Sequence, residues 1–265
     1  LWEWDAISTW GLKAKAFYLS RSLDLSRFEA HNYYPNLVPF LLTYLYFWLG
    51  GVMDSGVKLV CPVWGLALLG LFYGLLRHGG ASVRWALGVT LFLLTNGVTF
   101  LTHLFLAYAD LPLTYFHLAV AGLLYTRLQQ EQLPGTATPL ALFTGGMAWV
   151  KYEGWPLALI LFLAAGLTLS WLRPPQWRRQ MVKLAVILGV AYLFACPWRG
   201  YLALQEIVAG ADHLGSFSPR QFGLGLLQLL QALVWPPYFG LWWPALLLAY
   251  CQSGRLIWTT PWFFL

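Results

Sequence analysis

Few side chains in this chain carry charge, and those that do gather in short motifs. The first is "LWEWDAISTWGLKAKAFYL", in which Asp5 lies among Trp2, Trp4 and Trp10 and is followed within one helix length by Lys13 and Lys15. "HNYYPNLVPF" supplies His31 and Tyr34 ahead of a Pro-bounded apolar run, "YADLPLTYF" supplies Asp110, "WVKYEGWPL" supplies Lys151 and Glu153, and "PWRGY" supplies Arg199. Carboxylates of this kind serve as general bases, and lysine and arginine ammonium and guanidinium groups stabilise phosphate charge. Each also has a plainer role. Asp5 suits a helix N-cap, Asp110 suits a cap ahead of Leu111–Pro112, and Lys13 and Lys15 suit interfacial residues snorkelling to lipid phosphates. Lys151 and Glu153 are two apart, so a helix would not pair them, although both can point into one polar cavity.

Composition fixes the solvent in which these motifs act. Of the 265 residues, 59% are hydrophobic, 18% aromatic and only 10% charged, against about 25% charged in a soluble domain. So few charges cannot cover a water-facing surface, and lipid must serve as part of the solvent. Sixteen Trp and fourteen Tyr fit membrane interfaces. The net charge of +6 therefore reads as topology signal and phosphate contact, and no nucleic-acid partner is expected. Cys61, Cys196 and Cys251 lack metal or redox spacing. The chain contains no GxGxxG, GxxxxGK[ST] or HExxH, so a soluble-cofactor enzyme is not expected.

A spanning helix needs roughly 20 mostly apolar residues. The pattern predicts spans at Lys58–Leu76, Trp85–Phe105, Leu111–Leu128, Ala137–Val150, Trp155–Leu172 and Lys183–Pro197, with further apolar stretches near Phe222–Trp235 and Phe239–Tyr250. The loops "LRPPQWRRQMVK", "LRHGGASVR" and "LYTRLQQEQLPG" carry the Lys and Arg expected of cytoplasmic loops. Alternating the spans from those loops puts Asp110, Lys151, Glu153 and Arg199 at the opposite, outer face, together with the N-terminal stretch. "NYYPNLVPFLLTYLYFWLGG" reads as a helix lying in the outer interface or re-entrant. Asp5 to Tyr18, with Ile7, Trp10, Ala14, Phe17 and Tyr18 at helical spacing, reads as an amphipathic surface helix. The expected architecture is all-α, a polytopic transmembrane helical bundle with interfacial juxtamembrane helices. It divides into a first outer loop (1–57), a transmembrane core (58–198), an outer loop (199–221) and further transmembrane or interfacial helices (222–265).

In order and sidedness the motifs from Trp2 to Tyr201 resemble the GT-C membrane glycosyltransferases, in particular the dolichyl-phosphate-mannose protein mannosyltransferase and lipid A aminoarabinose transferase group. "WDAISTWGLKAKAFY" is similar to that family's first extracytoplasmic loop, "NYYPNLVPF" to its Pro-Leu helix, "YADLPLTYF" to its second acidic position, "MAWVKYEGWPL" to its Lys-Gly turn and "ACPWRGYLAL" to its Pro-Trp motif. Against that pattern the chain lacks the first span and the C-terminal part. It also has Tyr33-Tyr34-Pro35 where the aminoarabinose transferase has Glu-Lys-Pro.

The resemblance implies a bundle of GT-C type that moves a sugar from a polyprenyl-phosphate carrier to an acceptor hydroxyl, with inversion, at the outer face of a bacterial cytoplasmic membrane. Asp5 and Asp110 would be catalytic, Asp5 as the base. Lys13, Lys15, His31, Tyr34, Lys151, Glu153 and Arg199 would bind substrate. Trp2, Trp4 and Trp10 would pack on the sugar. The partners would be the lipid-linked donor, a glycan, lipid or protein acceptor, and membrane lipids. No cofactor is required, though Mg²⁺ or Mn²⁺ suits the carboxylates of Asp5 and Asp110. The competing readings are a multi-pass transporter or lipid flippase, whose charges should lie near the midplane and whose halves should repeat, and a non-catalytic membrane scaffold.

Overall fold

A computed structural model describes residues 6–25, 28, 31–96, 100–129, 135–207, 218–235 and 242–244. Asp5, Trp2, Trp4 and most of the predicted Phe239–Tyr250 stretch lie outside them. The described residues form helices and turns with no strand among them, so the all-α expectation holds. A π-turn at Ala6–Gly11 leads into α1 (Leu12–Ser20), followed by α2 (Leu37–Leu49), α3 (Asp54–Val57), α4 (Val60–His78), α5 (Val83–Phe92), α6 (Asp110–Gln129), α7 (Ala137–Val150), α8 (Gly154–Leu172), α9 (Trp177–Leu204) and α10 (Pro219–Val234).

Local chemistry sets the ends. Ser82 and Ser218 cap α5 and α10 through side-chain oxygens that accept from the Trp85 and Gln221 amides. At α2 the stop is Gly50, whose φ of 71° lets its amide reach the Phe47 and Tyr46 carbonyls. Arg173 ends α8 with φ 44°, just before Pro174–Pro175.

Three helices are long and apolar enough to cross a membrane: Asp54–His78, Gly154–Leu172 and Trp177–Leu204. α6 has 20 residues and occupies the middle of the bundle, against α4, α7 and α8. There its His117, Tyr115 and Thr126 face protein as well as surroundings. α2, with 13 residues, rises about 20 Å, too short to cross and in keeping with an interfacial or re-entrant helix. It packs on α1 and α3, while Tyr44, Phe47 and Trp48 stay exposed.

Three sequence expectations are corrected. Trp85–Phe105 is not one helix. The chain leaves α5 through a 3₁₀ turn at Leu93–Thr95, and Asn96 takes ψ 76°, outside helical space. Asn96 is a turn-favouring residue set in the surrounding apolar run. Next, the helix that holds Lys183–Pro197 is longer than that segment at both ends: α9 runs 28 residues from Trp177 to Leu204. Proline inside a helix removes one amide donor. Packing against α7 holds the turn regardless, and the Trp149 indole donates to the Phe194 carbonyl at 2.5 Å. Finally, Ile7 of the predicted amphipathic stripe is exposed, whereas Trp10, Ala14 and Phe17 are buried, because the first turn is π rather than α and rotates Ile7 off that face.

Close helix approach depends on small residues, as is usual where lipid gives no hydrophobic drive between helices. A Cβ built at Gly145 would lie 2.9 Å from the Phe194 Cβ of α9. At Gly154 it would collide with the Met147 carbonyl of α7. That contact fixes the reversal between α7 and α8, and so the position of Lys151 and Glu153. Gly154→Ala should destabilise the protein by about 1–3 kcal/mol, read as a lowered unfolding temperature in detergent, whereas Gly189→Ala, where a Cβ meets open space, should be close to neutral.

Candidate functional site

The predicted charged residues that can be followed converge on the end of the bundle formed by the starts of α6 and α8 and the end of α9, opposite the Arg173–Lys183 turn. Asp110 opens α6, and Lys151 leaves α7 in extended conformation. Lys151 Nζ donates to Asp110 Oδ1 at 2.9 Å, and Glu153 Oε1 lies 4.0 Å from the same ammonium. The turn after Lys151, not a helix, is what lets residues two apart approach one cation. Tyr34 completes the cluster by donating its hydroxyl to Glu153 Oε1 at 3.4 Å. Burial alone would depress Lys151, but the Asp110 carboxylate, its hydrogen bond and Glu153 outweigh burial and hold the ammonium above its ordinary pKa. Burial, followed by the Glu153 charge, raises the Tyr34 phenol. Two carboxylates against one ammonium leave the cluster with a formal charge of −1.

Beside this cluster lies a cleft of about 280 Å³ lined by Tyr33, Tyr152, Trp155, Trp198, Arg199 and Leu202, among others. Arg199 is exposed and has no carboxylate partner among the described residues. The cleft and the cluster share a wall. Tyr33 stacks on Tyr34 with ring centroids 4.9 Å apart and meets Tyr152 edge-on at 5.7 Å. Trp10 also packs edge-on against Tyr34 at 5.6 Å. It is 3% exposed, so it supports this wall and does not offer a free face to a sugar.

The wall is held by donors from distant parts of the chain. Lys13 Nζ donates to the carbonyls of His31 at 2.6 Å and Tyr34 at 3.3 Å, and the Trp198 indole donates to the Tyr33 carbonyl at 3.1 Å. His31 takes φ 55° to make the turn, and its ring packs 5.6 Å from Tyr34. Lys13 is therefore neither a snorkelling residue nor a phosphate contact in this conformation: it is 1% exposed and positions the turn. Lys15 is likewise engaged elsewhere, with Asp54 Oδ2 at 2.7 Å, while Tyr46 donates to Asp54 Oδ1 at 2.7 Å. Sequence reasoning missed Asp54 and Tyr46, as well as the aromatic lining from Tyr33, Tyr152, Trp155 and Trp198. The only sequence signal for the lining was the density of aromatics around the charged motifs.

Among the described residues no three His, Cys, Asp or Glu side chains gather as metal ligands. The Lys151 ammonium lies within reach of both Asp110 and Glu153, and Asp5, the other carboxylate named for Mg²⁺ or Mn²⁺, lies outside the described residues. What it offers is an ion-paired carboxylate next to an aromatic, cationic cleft. The chain matches no family model, no curated protein and no solved structure.

Burial lowers the Lys13 pKa from 10.5 to about 7. Above pH 7 the folded chain gives up that proton while the unfolded chain keeps it until about 10.5. The unfolded state then binds more protons, and stability rises with pH through that window. The shifts of Lys151 and Tyr34 are upward from 10.5 and 10.0 and act only above it. Between pH 7 and 9 the wild-type unfolding temperature should therefore rise relative to Lys13→Met. A parallel pair of pH profiles would show that Lys13 is not buried in this way.

Proposed function

We propose that this protein is an integral-membrane glycosyltransferase of GT-C type that moves a sugar from a polyprenyl-phosphate carrier to an acceptor hydroxyl. It would cross the membrane several times and act at the outer face of a bacterial cytoplasmic membrane. The observation that carries this reading is the shared tyrosine wall. On one side stands a carboxylate cluster suited to take a proton, and on the other an aromatic cleft with Arg199 unpaired by any carboxylate among the described residues. The motif order from Trp2 to Tyr201 supports the same class.

In this mechanism the acceptor oxygen attacks the anomeric carbon, the bond from that carbon to the phosphate oxygen breaks, and the lipid phosphate leaves with the electron pair. Inversion follows from a single displacement. The acceptor proton passes to a carboxylate, Asp110 among the described residues, with Asp5 as the family-matched alternative outside them. Charge accounting divides the cations. Lys151 is already matched by Asp110 and Glu153, so its chief role is to keep Asp110 oriented. Arg199 is left to grip the departing phosphate, with up to two hydrogen bonds. The rings of Tyr152 and Trp155 supply apolar faces for the sugar, with buried Tyr33 behind Tyr152. A transporter reading fits less well, because these charges sit at helix ends rather than at a midplane.

The test is a lipid analysis by mass spectrometry in the host, comparing the wild-type gene with a deletion, Asp110→Asn and Arg199→Gln. The deletion and both variants should accumulate one polyprenyl-phosphate sugar, with turnover in Asp110→Asn reduced about 10²–10⁴-fold. An unchanged lipid pool in the deletion would overturn the donor assignment. Accumulation in the deletion and in Asp5→Asn, but not in Asp110→Asn, would move the base to Asp5.

A further inference from the structure

At the opposite end of the bundle, α8 and α9 part along a groove of about 360 Å³. Its walls are two facing apolar stripes, Leu159, Leu163 and Gly166 on α8 and Met181, Ala185 and Leu188 on α9. Gly166 opens it, since even a Cβ there would stay 3.5 Å from the Met181 methyl. From Leu159 to Ser170 the groove rises about 16 Å, close to one leaflet of a hydrocarbon core about 30 Å thick.

The groove ends in cations. Arg178 lies three residues before Met181, on the same face of α9, and Arg173 lies three residues after Ser170. Arg179 and Lys183 flank them. Arg173, Arg178 and Arg179 are exposed. None of the four makes an ion pair among the described residues, and the sequence has no Asp or Glu between Glu153 and Glu206. Trp171, 80% exposed, and Trp177 mark the same level as an interface. An apolar slot one leaflet deep, closed at the interface by arginines that make no ion pair among the described residues, is complementary to one kind of molecule.

We propose that this groove binds an anionic phospholipid, one acyl chain lying between α8 and α9 and the phosphate on Arg178 and its neighbours. Basic pockets between membrane helices on the cytoplasmic side recognise anionic headgroups by this combination of depth and charge. The site is independent of the glycosyltransferase reading and holds if that reading fails.

Native mass spectrometry of the detergent-purified protein tests it, with phosphatidylglycerol and phosphatidylcholine of matched acyl chains as probes. Phosphatidylglycerol should be retained about tenfold over phosphatidylcholine. Arg178→Gln/Arg179→Gln should abolish that preference, and Ala185→Phe, which fills the slot, should reduce retention of both lipids. Circular dichroism and gel filtration confirm that each variant is folded; should one fail, the other still tests its half of the site. Equal retention of the two lipids by the wild type overturns the proposal. So does a preference that survives in the arginine variant, or complete displacement of phosphatidylglycerol by an equal concentration of water-soluble glycerol phosphate, which would mark a phosphate site without a lipid slot.

Discussion

The Lys13 ammonium, buried against the carbonyls of His31 and Tyr34, is the contact on which the candidate site depends. Burying that charge is costly: two backbone oxygens meet the Nζ donors but no carboxylate does, and the pKa falls to about 7. The same two carbonyls belong to the turn that aims Tyr34 at Glu153 and Tyr33 at the cleft. Trp198 fixes the turn from the other side, so α1 and α9, far apart in sequence, set one tyrosine pair. With that turn misplaced, the carboxylate cluster and the aromatic cleft would lose their common wall.

The second constraint is charge. The three lysines predicted for the site are already answered: Lys13 by carbonyls, Lys15 by Asp54, Lys151 by Asp110 and Glu153. The Asp110–Lys151 pair is partly exposed, with side-chain exposures of 45% and 21%, so it is held by orientation and modest attraction rather than by a large burial term. An anion approaching the cluster meets a formal −1, whereas one approaching the cleft meets Arg199. Electrostatics thus separates the two ligands of the proposed transfer before any shape is considered.

Much of this was legible in the sequence where periodicity and sidedness carry the information. As helices, Ala137–Val150 was drawn residue for residue, and α6 and α8 to within one residue at each end, although of these three predicted spans only α8 is long and apolar enough to cross a membrane. The placing of Asp110 and Lys151 at one end of the bundle followed from alternating the spans, a rule that uses neither residue; their direct contact did not. Burial of Lys13 was not legible, because the residues that bury it come from the turn after α1, and a lysine beside Trp and Phe reads equally as a snorkelling one. Nor was Lys15–Asp54, which spans 39 residues with no local pattern to mark it. α9 passed beyond Pro197 because tertiary packing outweighed a local breaker, and α5 stopped early ahead of Asn96, an overlooked one.

Helix geometry ties the two ends together. On α9 the rise from Arg178 to Arg199 is about 32 Å, and on α8 the rise from Glu153 to Arg173 is about 30 Å, each matching a hydrocarbon core of about 30 Å. Two adjacent helices therefore carry their charges one core thickness apart, with apolar, largely exposed residues such as Leu163, Leu167, Val186 and Leu193 between them. That spacing fixes depth as well as orientation. If Arg178 sits at the inner headgroups, Arg199 and the cleft it lines sit at the outer ones. A lipid-linked phosphate would meet Arg199 at that level without leaving the bilayer.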